Sequence, residues 1–134
     1  MKRPLKIALL GLFALVAIAV VLDIGPTNFR STAYRVEYAK YIKSKDCLNQ
    51  VVEALNAYKA KHGEFPEFKS FTELVAKGSP LVQEGFIQFA IPTSDPWGNP
   101  FIGSFSKQEF RIECSGSSQR PNDFPRFTVN ELSP

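Results

Sequence analysis

Chemistry in this 134-residue chain would have to come from His62, Cys47, Cys114 or the carboxylates Glu64 and Glu67. His62 is the single histidine, so a Ser-His-Asp hydrolase would have to use it. No nucleophile-elbow pattern accompanies it. It sits beside Gly63, where a cationic or dipolar side chain suits the carbonyls of a helix C-terminus. Glu64 and Glu67 could form a general acid–base pair, but they flank Pro66 in a turn and are expected to be solvated. Cys47 and Cys114 lie far apart, with no C-x-x-C spacing and no histidines to complete a zinc set. One structural disulfide is the expectation, and two buried free thiols are the alternative. Asp95-Pro96-Trp97-Gly98-Asn99-Pro100 is the densest turn signal in the chain. Asp95 and Asn99 can bond neighbouring backbone, Pro96 and Pro100 fix φ, Gly98 supplies positive φ, and Trp97 pins the turn to a core. That is architecture, and no catalytic, cofactor-binding or metal-binding residue is expected.

The elements that position these residues begin after an apolar N-terminus. Basic residues Lys2, Arg3 and Lys6 precede an uncharged run over residues 7–22, closed by Asp23. Residues 1–25 read as a membrane anchor, because Val20, Val21 and Leu22 continue the run past Ala17-Ile18-Ala19, the small-x-small site where a signal peptide would be cut. A cleaved signal stays open as the alternative, with a soluble mature chain beginning at Val20. Net charge is +3, all of it from those first basic residues, since residues 7–134 carry 13 basic and 13 acidic side chains. Residues 46–134 are acidic on balance, with 8 basic against 11 acidic side chains, which excludes nucleic acid as a partner.

Residues 26–134 read as one α+β domain. Gly25-Pro26 marks a break, and Ser31 or Thr32 caps a helix predicted over residues 32–62. Its apolar stripe is Tyr34, Tyr38, Tyr41, Cys47, Leu48, Val51, Val52, Leu55 and Tyr58, with Arg35, Lys40, Lys43, Glu53, Lys59 and Lys61 opposite. Gly63 ends the helix and Pro66 prevents a restart. A short helix is predicted over residues 71–77, capped by Ser70 or Thr72. Residues 100–105 and 108–115 form a hairpin across Ser106 and Lys107, with Phe110, Ile112 and Cys114 on the buried face. Phe127 and Val129 mark a third strand. Helix stripe and sheet face need each other, with Cys47 on one and Cys114 on the other.

The same residues carry a family resemblance. Tyr58-Lys59-Ala60-Lys61-His62-Gly63-Glu64-Phe65-Pro66 resembles the Y-K-x-x-x-G-x-Y-P signature that closes the long helix of type IV pilin-like proteins. Asp95-Pro96-Trp97-Gly98-Asn99-Pro100-Phe101 is similar to the D-P-W-G-N-P-Y motif of the major pseudopilins of type II secretion systems (general secretion pathway protein G). Phe110-Arg111-Ile112-Glu113-Cys114-Ser115-Gly116 is similar to the strand that enters the family's last loop. The resemblance covers about residues 32–130 and implies a pilin-like fold, a long helix packed on a small antiparallel sheet of three to four strands. It further implies a non-enzymatic component or accessory of a type II secretion or type IV pilus apparatus, acting by protein–protein contact. The implied partners are other pseudopilins or secretion-apparatus proteins and the inner membrane, with residues 26–134 in the periplasm and no small-molecule substrate.

Two departures qualify what the resemblance implies. Prepilin peptidase substrates carry Gly before the apolar run and Glu five residues into the mature chain. Here Lys6 precedes Ile7 and residues 7–22 contain no acid. A membrane-tethered pilin-fold binding module that never enters a filament is therefore the alternative function. The family's last loop is built to bind calcium through several aspartates. Residues 115–123 offer Asp123 alone, with Arg120 nearby, and calcium normally takes six to eight oxygens, so no calcium is expected.

Overall fold

A computed structural model of the chain describes residues 31–131. The expected anchor at residues 1–25 and the break at Gly25-Pro26 lie outside the described residues. Among those described, no helix is long and apolar enough to cross a membrane.

Helix α1 spans Thr32–His62. Ser31 caps it, its hydroxyl accepting from Tyr34 N–H at 3.2 Å and its carbonyl from Arg35 N–H at 3.2 Å. No Gly or Pro interrupts it. Lys59, Lys61 and His62 place basic groups in the last turn, and Gly63, at φ +85°, donates to Lys59 O at 2.7 Å. Leu48, Val51 and Leu55 are fully buried, with Val52 and Ala54 nearly so. Their spacing, extended backward in alternating steps of three and four, lands on Ser44, Tyr41 and Glu37. Ser44 and Glu37 are buried, at 1% and 6% exposure. The inward face is therefore rotated relative to the expected stripe at its first turns. Tyr38 is 49% exposed, and the polar Glu37 takes the inward position.

The compact unit Val36–Pro134 contains the rest of the fold. Phe65 follows α1 into the core, its N–H donating to Lys107 O at 3.0 Å and so pinning the post-helix turn to the hairpin tip. Helix α2, Phe71–Val75, is shorter than expected at its C-terminal end. Ser70 caps it by accepting from Glu73 N–H at 3.2 Å, and Glu73 returns a carboxylate to Lys69 N–H at 2.7 Å. A further short helix, α3, spans Pro80–Gln83 and was not anticipated. Its signal is Ser79-Pro80, an N-cap whose hydroxyl accepts from Leu81 N–H at 3.1 Å, followed by proline at the first turn.

Three strands, β1 (Ile102–Phe105), β2 (Phe110–Cys114) and β3 (Phe127–Asn130), form an antiparallel sheet in the order β1-β2-β3. Phe105 pairs with Phe110, Ile112 with Gly103 and Val129, and Cys114 with Phe127. The hairpin loop is longer than expected, with Ser106 N–H donating to Glu109 O at 2.9 Å. Alternation in β2 follows the expected pattern: Phe110, Ile112 and Cys114 are buried, Arg111 exposed and Glu113 half-buried.

The core lies between α1 and this sheet, sealed by the aromatics of the intervening turns. Phe65 meets Phe110 edge-on at 5.1 Å, Phe68 meets Phe105 edge-on at 5.7 Å, and Phe71 tilts against Phe101 at 5.0 Å. Each fully buried Leu or Phe contributes about 1.5–3 kcal/mol relative to exposure. The result is the expected α+β pilin-like architecture, a long helix packed on a three-stranded sheet.

Candidate functional site: a turn and a loop closed on Glu37

The Asp95 turn organises itself through its own carboxylate. Asp95 Oδ1 accepts from Trp97 N–H at 3.0 Å and Asn99 N–H at 2.9 Å, while Oδ2 takes the Asn99 amide at 3.3 Å. Backbone bonds close the turn, Asp95 N–H to Asn99 O at 2.8 Å and Gly98 N–H to Asp95 O at 3.0 Å. Gly98 sits at φ +89°, where a side chain would be strained. Ser94 bridges Pro100, and Pro96 is half-buried beside Trp97. The expected structural turn, residues 95–100, is thus assembled as one unit, and buried Asp95 is its hub.

Trp97 carries the turn to α1. Its indole N–H donates to Glu37 Oε2 at 2.7 Å. The same oxygen receives the Ser117 hydroxyl at 2.5 Å, from the loop after β2. Glu37 Oε1 pairs with Lys40 at 3.2 Å, one turn along α1. A buried carboxylate is costly unless its lone pairs are filled, and here three donors fill them. The Ser117 hydrogen bond, helped by Trp97 and Lys40, holds Glu37 below the usual carboxylate range, against the burial that would raise it. Glu37 is therefore an anion at neutral pH.

Beneath the turn, Cys114 Sγ lies 3.7 Å from Asp95 Oδ2, a weak thiol-to-carboxylate hydrogen bond, and Ser44 donates its hydroxyl to Lys40 O at 2.9 Å. Beyond Ser117 the chain folds back on itself. Ser117 N–H donates to Phe124 O at 3.0 Å, Arg120 N–H to Ser117 Oγ at 3.1 Å, and Phe124 N–H to Arg120 O at 2.9 Å. Arg120 Nη1 pairs with Asp123 at 3.0 Å. Tyr41 of α1 packs on Phe124 at 5.5 Å and on Phe127 at 5.3 Å, covering the cluster.

The family model for type II secretion system protein G matches residues 32–123, from the first turn of α1 to this last loop. The chain belongs to that family. No curated protein and no solved structure matches it. Within this pseudopilin family frame, α1, the Asp-Pro-Trp turn and the last loop are the elements that Glu37 ties together.

The residues read as possible chemistry are absorbed elsewhere. His62 stacks on Tyr58 at 4.1 Å and contacts Glu84 Oε2 at 2.8 Å, which Lys61 also reaches at 2.7 Å. Those two partners, Lys61 first, lower the Glu84 pKa. Glu64 lies 3.2 Å from Lys107 and, with a smaller contribution from Glu67, raises that lysine's pKa. The carboxylate pair is therefore a surface partner of one lysine.

No bond joins Cys47 to Cys114 in this structure, which gives the expected bridge no support. Cys114 is buried and engaged with Asp95. Cys47 is half-buried on the flank of α1, lining a groove with Lys43, Asp46, Gln50 and Ile91. Burial raises both thiol pKa values, which disfavours the thiolate form. Two of the residues taken as wetted are also placed differently. Lys40 is drawn to buried Glu37, and Lys59 lies 4.4 Å over the Phe65 ring.

Sequence reasoning missed Glu37, Ser44 and Ser117. Hydropathy gives a polar residue no weight as a core position. The seam spacing on α1 is the signal that points to Glu37 and Ser44. For Ser117 the sequence holds no comparable signal.

The last loop does not fit calcium. Its carboxylate, Asp123, is neutralised by Arg120, and its Ser117 hydroxyl is spent on Glu37. Among the described residues no three acidic, histidine or cysteine side chains gather where a cation could sit.

Proposed function

We infer that this chain serves as a non-enzymatic component or accessory of a type II secretion or type IV pilus apparatus, working by protein–protein contact. The observation that carries the reading is the family match over residues 32–123, which takes in the Asp-Pro-Trp turn and the last loop together. The placement of the reactive side chains supports it. His62, Glu64 and Glu84 are engaged in surface pairs, and Cys114 is buried. An apolar strip supports a contact role as well. Tyr38, Ile42 and Ile91 line one groove of about 520 Å³ beside α1, and Ile91 continues into a second with Phe89, which is 78% exposed.

In this reading residues 1–25 anchor the chain in the inner membrane, residues 26–134 lie in the periplasm, and the partners are other pseudopilins or secretion-apparatus proteins. Neither nucleic acid nor a small-molecule substrate takes part. The second reading, a tethered pilin-fold module outside any filament, is favoured by one observation: Lys6 and an acid-free run over residues 7–22 replace the glycine and glutamate of peptidase-processed pilins. Crosslinking in intact cells, with identification of the bound species, separates the two. Capture of pseudopilins together with lost secretion on deletion supports the apparatus role. Capture of lipid or of the chain itself alone, with secretion and piliation intact, replaces it with the tethered module. Intact mass after membrane extraction tests the anchor, and a mature chain starting at Val20 would remove it.

A further inference from the structure

We propose that the loop of residues 115–124 is fastened by a metal-independent latch, with Glu37 of α1 holding Ser117 from beneath and Arg120 supplying beside Asp123 the positive charge a bound cation would otherwise bring. Several of the loop's polar groups already have partners within the fold. Arg120 O, the kind of carbonyl a hard cation uses, receives N–H groups from Asp123 at 3.2 Å and Phe124 at 2.9 Å. Ser117 Oγ accepts from Arg120 N–H and donates to Glu37, so the hydroxyl faces inward to α1. At the loop's root Gly116 lies at φ +74°, and a Cβ there would stand 2.6 Å from Phe124 O and from Pro125 C and O. The two ends of the loop thus approach more closely than any residue with a side chain allows.

A cation site spreads several negative charges around an open centre. This loop does the reverse, pairing its one carboxylate with a guanidinium and borrowing a second carboxylate from α1 to receive a hydroxyl. Charge-assisted hydrogen bonds of this kind are short and strong. The same Glu37 oxygen also takes the Trp97 indole, so the latch fastens loop and turn at one atom.

The test is hydrogen exchange of the full chain in detergent, read over residues 115–126 with millimolar calcium or with EGTA. Emission from Trp97, the only tryptophan, is followed alongside. Loop exchange and emission should be the same in calcium and in EGTA. Glu37→Gln should speed loop exchange by about tenfold or more in both conditions, with β2 amides unchanged. Ser117→Ala, which removes one hydroxyl and leaves α1 untouched, should do the same if Glu37→Gln does not fold. Faster loop exchange in EGTA, or a saturable calcium-dependent change in emission, would overturn the proposal. So would wild-type loop exchange in both variants, or acceleration of β2 to the same degree as the loop.

Discussion

The two halves of the buried seam on α1 hold their partners in different ways. From Leu48 to Leu55 the seam is aliphatic and meets the sheet through surface area and shape alone. From Glu37 to Ser44 it carries buried polar groups, and Glu37 meets the Asp95 turn and the last loop through directed hydrogen bonds. The first half can shift by fractions of an ångström and keep most of its energy. The second cannot, because a hydrogen bond to a buried anion weakens steeply with angle and leaves an uncompensated group when lost. The contrast separates what makes the domain stable from what sets the position of its turn and loop.

The largest effect should come from the aliphatic half. Leu55→Ala empties a fully buried site and should cost about 2–5 kcal/mol, measured by urea unfolding. Trp97→Phe, at the polar half, deletes one hydrogen bond to a charged group and should cost about 1.5–3 kcal/mol. A loss equal to that of Leu55→Ala would erase the distinction between the halves.

The pH dependence of stability sharpens it further. Glu37 titrates below its ordinary value of 4.5 in the folded chain, so its contribution is complete above about pH 4.5 and is lost as pH falls through the folded value. Glu84 acts in the same direction from the surface. Glu37→Gln should therefore flatten the fall in stability on the acid side of pH 4.5, whereas Leu55→Ala should lower the whole curve without changing its slope. Thiol labelling gives the smallest effect. Alkylation of unfolded protein should add two labels, and native protein should label at Cys47 well before Cys114. No label on unfolded, unreduced protein would restore the bridge.

What the sequence made legible follows the same division. The bounds of α1 and the Asp95 turn could be read because their signals are local: Ser31, Gly63 and the Asx, proline and glycine chemistry of residues 95–100 act within a few positions. The alternation of Phe110, Ile112 and Cys114 placed β2 for the same reason. Tyr38 was read as inward and Glu37 was passed over, because hydropathy ranks tyrosine above glutamate while the partners that rescue a buried glutamate are distant in the chain. The thiols were paired because each lies on an apolar face. Asp95 and the flank of α1 give them separate neighbours. Short α3 was hidden because Ser79-Pro80, followed by Gly85, reads equally well as a turn.

The separations along the chain have a kinetic consequence. Trp97 lies 60 positions and Ser117 80 positions from the carboxylate they share, whereas the sheet is a meander of neighbours. Contacts that close such long segments tend to form after the folding barrier has been crossed, because the entropy of closing them is lost before their bonds repay it. Disturbing the shared carboxylate's partners should then leave the refolding limb of a chevron plot in place and raise the unfolding limb, the pattern of a late-forming contact. In a secretion-family protein this would make Glu37 a determinant of how long the domain stays folded once made, with little say in how quickly it gets there.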